Sequence, residues 1–188
     1  FIALGKMSKF KPLSLICRAY IFFFRGTPLL MQLYFLWFGL PLLFPALTIS
    51  DRFLAAFIAF TMNSAAYCAE NIRAAIESID RGQFEAAATL NFTRMQTLRH
   101  VVIPQAVRIA LPNLGNNFID LIKGTSLVSV ISMVDLFQTG KQIASRTFEP
   151  LAMYSEVALI YLVIFTLLTA AQSALEKYSN RYVRSRNA

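Results

Sequence analysis

The sequence predicts an all-α, polytopic membrane protein, a helical bundle with four full transmembrane helices and an N-terminal stump of a fifth. Of its 188 residues, 56% are hydrophobic and only 15% are charged, which is too apolar for an ordinary soluble domain. No charged residue occurs from 26 to 50, and about 20 residues suffice for a helix to cross the hydrocarbon core. The net charge of +8 is bunched between apolar runs, which argues against nucleic-acid binding.

The stump is the apolar stretch 1–5, which runs straight into Lys6. This order is the reverse of a secretory signal, where basic residues come first, so we interpret the stretch as the end of a helix. The first full span lies within 26–50. Pro28 fits the first turn of that helix, and Pro41 and Pro45 predict that it ends near 38–43.

Three further apolar segments complete the predicted bundle. They are 53–69, continued as a helix through Glu70 and Arg73 towards Ile79; 114–134, which contains Asp120 and Lys123; and 151–175, which is followed by the basic tail Lys177, Arg181, Arg184 and Arg186.

The lysines and arginines predict the orientation, because basic flanks are retained on the cytoplasmic side. Five lie at or before Arg25, four lie between Arg81 and Arg108, and four lie in the tail. The alternate loops contain three, at Arg52, Lys141 and Arg146. The segment before Arg25, the loop 80–112 and the tail are therefore all predicted to be cytoplasmic.

The loop 80–112 contains two helix-start patterns. Asp80 is followed three residues later by Gln83, and Thr93 by Gln96; in such pairs each side chain can bond a free backbone N–H of the first turn. The patterns predict a short helix over 81–90, a turn at 91–92, and a second helix from 94 that ends at or near Pro104.

One face of the first short helix is apolar. Phe84, Ala87 and Ala88 share it, with Leu90 to its side, and such a surface suits the groove of another protein. The alternative is a helix that lies in the headgroup layer with this face down.

The residue types exclude several kinds of chemistry. His100 is the single histidine, and Cys17 and Cys68 are far apart without a CxxC pattern, so no metal site is predicted. Gly140-Lys141 lacks the first glycine and the Ser or Thr of a phosphate-binding loop. No catalytic residue and no cofactor are predicted in this chain.

Several separated motifs resemble one known family. Glu85-Ala86-Ala87, followed by Asn91 and then by Val101, Ile103 and Pro104, resembles the EAA signature of the permease subunits of ATP-binding-cassette importers. The other motifs look like those of polar-amino-acid permeases: Phe24-Arg25-Gly26-Thr27-Pro28-Leu29-Leu30, Asn63-Ser64-Ala65-Ala66-Tyr67 with Glu70, and Lys123-Gly124-Thr125-Ser126-Leu127.

The resemblance implies a single permease domain over 1–188 in a bacterial inner membrane, with 80–112 as the coupling loop. It also implies three partners besides membrane lipid: a separate ATPase that binds ATP and Mg²⁺, a second identical or sister permease, and an extracytoplasmic solute-binding protein. The implied ATPase-coupling residues are Gln83, Glu85, Ala86, Ala87, Asn91 and Pro104. Asn91 departs from the family, which has glycine there; asparagine tolerates the left-handed conformation best among the other residues.

Ionisable residues inside membrane helices usually face protein or water. Glu70 with Arg73, and Asp120 with Lys123, are three apart and can pair; the pairs either merely neutralise each other or border a polar route for a zwitterionic amino acid. The candidate route residues are Asn63, Tyr67, Glu70, Arg73, Asp120, Lys123 and Ser126.

Motifs at 79–83, 145–149 and 153–154 look closest to cystine permeases, with glutamine, histidine and arginine importers as relatives. A secondary transporter and a non-transporting scaffold are the alternatives from other classes.

Overall fold

A computed structural model describes the backbone of residues 1–184 and the side chains of residues 1–178. Within this range every regular element is a helix or helical turn, and there is no strand. The α-helices are α1 Ile2–Lys6, α2 Lys11–Gly26, α3 Leu29–Tyr34, α4 Leu40–Leu43, α5 Arg52–Glu77, α6 Arg81–Thr89, α7 Arg94–Thr97, α8 Ile103–Gly124, α9 Leu136–Thr147 and α10 Pro150–Arg184. Two π-helical turns, Phe35–Gly39 and Leu98–Val102, join α3 to α4 and α7 to α8, and 3₁₀ turns occupy Pro45–Leu47 and Thr125–Ile131.

Two of the described helices are long and apolar enough to cross a membrane alone, α5 and the Pro150–Tyr178 part of α10. The pair α2 and Leu29–Leu43 would make a third, but it is bent by 104°. The predicted end of the first span near 38–43 is confirmed, since α4 ends at Leu43. Helix α2, by contrast, was not predicted: in the stretch 11–26 the basic residues were used to indicate the orientation, not a helix.

The bend between α2 and α3 has a local cause. Pro28 has no N–H to continue a helix, and its ring disfavours helical geometry at the residue before it. Thr27 and Pro28 are accordingly extended, with ψ angles of 144° and 136°. The chain therefore leaves helical geometry at Gly26 and re-enters it at Leu29.

Three apolar clusters hold the bundle together, and each includes residues of α5; the smallest joins α1 and α2 to α5 through Ala3, Ile21 and Ala69. Many of their members are alanines, which let helix backbones approach closely in a membrane protein. The first joins α3, α5 and the 3₁₀ turn after α8, through Leu33, Ala56, Ala59, Phe60, Val128 and Ile131. The second joins the end of α5 to α8, through Ala75, Ile79, Val102, Ala106 and Ala110.

The third predicted span has different boundaries. Helix α8 begins at Ile103 instead of 114 and ends at Gly124, and the rest of the predicted span is 3₁₀ turn. The prediction that a helix ends near Pro104 is wrong. The backbone stays helical from α7 through the π turn Leu98–Val102 into α8, and the Ile103 N–H donates to the Leu98 carbonyl five residues earlier, so a wider turn precedes Pro104, which has no N–H. Pro112 lies inside α8, so the last part of 80–112 is helix.

Helix α10 packs on α8 and α9, but few of the residues in its apolar part are buried. Gly115 of α8 allows this contact, because a Cβ there would lie 2.6 Å from Cδ of Gln172. The rest of α10 is left open to lipid or to a partner chain. Of the predicted basic tail, Arg181, Arg184 and Arg186 lie outside the described side chains.

Candidate functional site

Asp80 caps helix α6 as predicted, but Gln83, its expected partner in the cap, bonds a different residue. The Asp80 carboxylate accepts a hydrogen bond from the backbone N–H of Gly82 at 2.7 Å. The Gln83 side chain does not return to Asp80; its carbonyl oxygen accepts from the Gln105 amide at 3.2 Å. Gln83 therefore ties α6 to α8.

The second helix-start pattern is formed as predicted. The Gln96 side chain accepts from the backbone N–H of Thr93 at 2.8 Å, and the Thr93 hydroxyl accepts from the backbone N–H of Gln96 at 3.3 Å. These reciprocal bonds are a complete capping box at the start of α7.

The turn between α6 and α7 depends on Asn91, whose φ is 54°, in the left-handed region. Its N–H donates to the carbonyl of Ala88 at 2.9 Å, and the N–H of Phe92 donates to that of Ala87 at 3.0 Å. This is the Schellman arrangement that ends a helix on a left-handed residue. The prediction that asparagine takes this conformation in place of glycine is confirmed.

We expect Asn91→Val to lower the melting temperature of the detergent-purified protein by roughly 4–8 °C, because a β-branched residue is strained by about 2 kcal/mol in the left-handed region. Asn91→Gly should leave it unchanged or slightly higher. Asn113→Val, at an exposed position in α8, is the control. Equal melting temperatures for the two valine variants would show that the turn does not need a left-handed residue.

The surface that α6 exposes differs from the predicted one. Ala87 is 2% exposed, because α6 rests on the π turn Leu98–Val102, so Ala87 belongs to the internal contact. Glu85 and Ala86 are exposed. The large apolar side chains open to the outside on α6, on α7 and in the turn between them include Phe84, Met95 and Leu90.

Glu70 is the centre of a charge cluster. Its carboxylate accepts from Lys6 Nζ at 2.8 Å and from Arg73 at 2.7 and 3.1 Å, and Arg25 lies 3.6 Å away. Arg73 also pairs with Glu77. The predicted Glu70–Arg73 pair is confirmed, whereas Lys6 and Arg25 were missed because they come from α1 and α2.

The second predicted ion pair, Asp120 with Lys123, is also formed, at 2.7 Å. Both side chains are more than half exposed. The Lys123 ammonium lies 5.3 Å from the centroid of the Phe165 ring, which adds a cation–π contact from α10.

A polar cleft of about 270 Å³ lies between α3, α5 and α8, and we call it the central cleft. Its lining residues are Leu29, Asn63, Ser64, Tyr67, Asn117, Asp120 and Leu121. Three of the predicted route residues therefore meet there: Asn63, Tyr67 and Asp120. Glu70, Arg73, Lys123 and Ser126 are not among the lining residues, and the Ser126 hydroxyl donates to the Lys123 carbonyl at 2.9 Å.

Asn63 has a structural task that the sequence did not suggest. Its amide nitrogen donates to the Phe24 carbonyl at 3.0 Å and to the Gln32 side-chain oxygen at 3.1 Å. Gln32 in turn donates to the carbonyls of Phe24 and Thr27, at 3.0 Å each. Two buried amides thus bond carbonyls that the bend at Pro28 leaves without helical partners.

Asn117, at the same cleft, differs from Asn63 in the hydrogen bonding of its side-chain amide. Its amide nitrogen is buried and has no hydrogen-bond partner among the described residues. A buried donor without a partner is costly, so this N–H group is available to a bound polar molecule. Asn117 lies three residues before Asp120 on α8, one helical turn away.

Comparison with known proteins identifies the family. Residues 1–180 match the model of the binding-protein-dependent transport system inner membrane component. The chain is 44% identical to the probable amino-acid ABC transporter permease protein PatM of Vibrio harveyi, covering 95% of this chain and 81% of that protein. It is 43% identical to the L-cystine transport system permease protein TcyB of Bacillus subtilis, with 96% and 76% covered.

A solved structure supports the same assignment. The crystal structure of an amino acid ABC transporter with histidines superimposes with a TM-score of 0.88 at 42% identity, over 95% of this chain and 82% of that one. The two chains therefore share a fold over nearly the whole of this chain. The chain belongs to the family of binding-protein-dependent transport system inner membrane components, and its fold is that of an ABC importer permease.

Proposed function

We propose that this chain is the permease subunit of an ATP-driven importer of polar amino acids in a bacterial inner membrane, and that α6 and α7 dock a separate ATPase on the cytoplasmic side. The capped α6–α7 pair carries this proposal. It is held rigidly by a capping box and a left-handed turn, yet it exposes Glu85 among Phe84, Leu90 and Met95. Rigid apolar anchors around a charge are typical of a docking surface.

The remaining partners follow from the same proposal. ATP and Mg²⁺ bind to the ATPase subunit, since this sequence has no phosphate-binding loop. A second permease covers part of the apolar surface that α10 leaves open and completes the solute path. An extracytoplasmic binding protein delivers the solute, in keeping with the family's description as binding-protein-dependent.

The central cleft supports an amino acid as the solute. The Asp120 carboxylate suits an α-ammonium group, and the Asn117 amide, with the hydroxyls of Ser64 and Tyr67, suits an α-carboxylate. Such paired recognition favours zwitterions over sugars or metal ions. Cystine is the first solute to test, because TcyB is named a cystine permease; glutamine, histidine and arginine are the next.

We expect Glu85→Arg to abolish co-purification of the ATPase subunit with the permease, because reversing a charge within a docking surface places like charges together at a cost of several kcal/mol. The control is Glu149→Arg, at an exposed position between α9 and α10, which should retain the ATPase. Loss of the ATPase from both variants, or from neither, would contradict docking through α6. Uptake that continues without the ATPase but stops when an ion gradient is collapsed would indicate a secondary transporter instead.

A further inference from the structure

Helix α2 has a line of positive charge along one side. Lys11, Arg18 and Arg25 are seven residues apart, so each lies two turns and about 10 Å from the next on the same side of the helix. We call these three residues the basic stripe. The proposed transport function does not use it.

The other sides of α2 are apolar. Ser14, Cys17 and Ile21 are buried against the bundle, whereas Phe22 is 82% exposed and Leu15, Ile16 and Phe23 are also exposed. Helical geometry places the exposed group roughly opposite the buried one, with the basic stripe at the border between them. One side of α2 thus packs on the bundle, the next is basic, and the third is apolar and exposed. A helix of this kind suits a membrane interface.

The direction of α2 agrees with this location. It is bent by 104° from Leu29–Leu43, so it is nearly perpendicular to that part of the predicted span. It also packs on α5: the Tyr20 hydroxyl donates to the Met62 carbonyl at 2.6 Å, and Arg25 lies 3.6 Å from Glu70, about two turns further along α5. Because Leu29–Leu43 belongs to a predicted transmembrane span, a helix nearly perpendicular to it runs close to the membrane plane.

Two surface clefts meet at Arg18. One, of about 400 Å³, is lined by Lys6, Arg18, Arg25 and Tyr67 with neighbouring apolar residues, and the other, of about 570 Å³, by Ser8, Lys11, Ser14 and Arg18 with Pro12 and Leu15. Lys6 and Arg25 share the Glu70 carboxylate. Among the described side chains, no carboxylate lies within 4 Å of the charged groups of Lys11 and Arg18.

We propose that the basic stripe binds the phosphate of an anionic phospholipid headgroup at Arg18 and Lys11, with the exposed apolar side of α2 among the acyl chains. The positive-inside pattern puts α2 at the cytoplasmic leaflet, whose anionic lipids attract basic groups near the surface. A second copy of this chain fits less well, because a symmetric contact through α2 would bring the two stripes close together.

The test titrates the full chain, purified in detergent, with phosphatidylglycerol or phosphatidylcholine and counts bound lipid by native mass spectrometry. We expect tighter binding of phosphatidylglycerol, and an affinity about 30-fold weaker in Lys11→Gln/Arg18→Gln. The control, Lys141→Gln/Arg146→Gln, removes the same charge from exposed positions on α9 and should change the affinity less than threefold. Equal losses in both double variants, or equal binding of the two lipids, would overturn the proposal.

Two further measurements separate the lipid from other occupants. Glycerol 3-phosphate should not displace phosphatidylglycerol at equal concentration. Displacement would indicate a site for soluble anions and would overturn the proposal that the site binds a phospholipid. In the assembled transporter, Phe22→Trp in a Trp37→Phe background should be quenched by phosphatidylglycerol brominated in its acyl chains. Absence of quenching would mean that a protein covers α2 and would also overturn the proposal.

Discussion

Glu70→Gln is expected to lower the melting temperature of the detergent-purified protein by roughly 10 °C, since breaking a largely buried ion pair costs about 3 kcal/mol or more. The substitution keeps the shape of the side chain but removes the charge on which Lys6 and Arg73 converge at 2.7–2.8 Å. Arg25 contributes less, because it is 3.6 Å away and more exposed. Thermal unfolding followed by circular dichroism measures the change.

Glu77→Gln is the matched control for this result. Glu77 pairs with Arg73 on the same helix, but its side chain is half exposed, so its loss should shift the melting temperature by no more than about 2 °C. Adding Lys6→Met to Glu70→Gln should restore part of the lost stability, since it removes a cation that the first change left unpaired. Equal melting temperatures for the wild type and Glu70→Gln would show that the cluster is not structural.

Glu70→Gln also distinguishes the two interpretations of Glu70, as a partner that only neutralises nearby cations or as a residue of the solute route. Because Glu70 does not line the central cleft, uptake per folded transporter should remain near the wild-type value. A variant with normal stability but no substrate-stimulated ATPase activity or uptake would instead restore Glu70 to the solute route.

Asp120→Asn is expected to raise the solute concentration that gives half-maximal uptake by roughly 3- to 30-fold, because a buried hydrogen bond to a charged group contributes about 1.5–3 kcal/mol and solvent weakens it at Asp120, which is 69% exposed. The change leaves the cleft's shape intact and removes the charge proposed to receive the α-ammonium group. Lys123 loses its partner, but it is 51% exposed, so stability should change little. The measurement is uptake of labelled cystine or glutamine into vesicles that also contain the ATPase and binding protein.

Two variants control for this second prediction. Glu156→Gln removes a carboxylate from an exposed position on α10 and should leave uptake unchanged. Lys123→Gln breaks the Asp120–Lys123 pair while keeping the Asp120 charge, so it should change the half-maximal concentration much less than Asp120→Asn. If Asp120→Asn transports with wild-type affinity, Asp120 does not contact the solute.

The sequence by itself determined those features that depend on residues a few positions apart. The capping box of Thr93 and Gln96, the left-handed turn at Asn91 and the pairs Glu70–Arg73 and Asp120–Lys123 each involve side chains within four residues. The second and fourth predicted spans, now α5 and α10, could be recognised for a similar reason, because a bilayer requires a continuous apolar run. The boundary at Pro104 failed because a π turn carries the helical backbone past the proline.

Only the tertiary structure decided which distant residues meet. Lys6 and Glu70 are 64 positions apart, and no local pattern distinguishes Lys6 from the other basic residues before α2. Asn63 appeared to be a route residue, but the bend at Pro28 brings the Phe24 carbonyl and Gln32 to its amide. The central cleft exists because α5 and α8 pack with polar residues facing one another, while Leu29 of α3 lines the remaining side. Helical period and hydropathy identify each helix, but the relative position of two helices depends on side-chain packing over their whole contact, which local sequence does not encode.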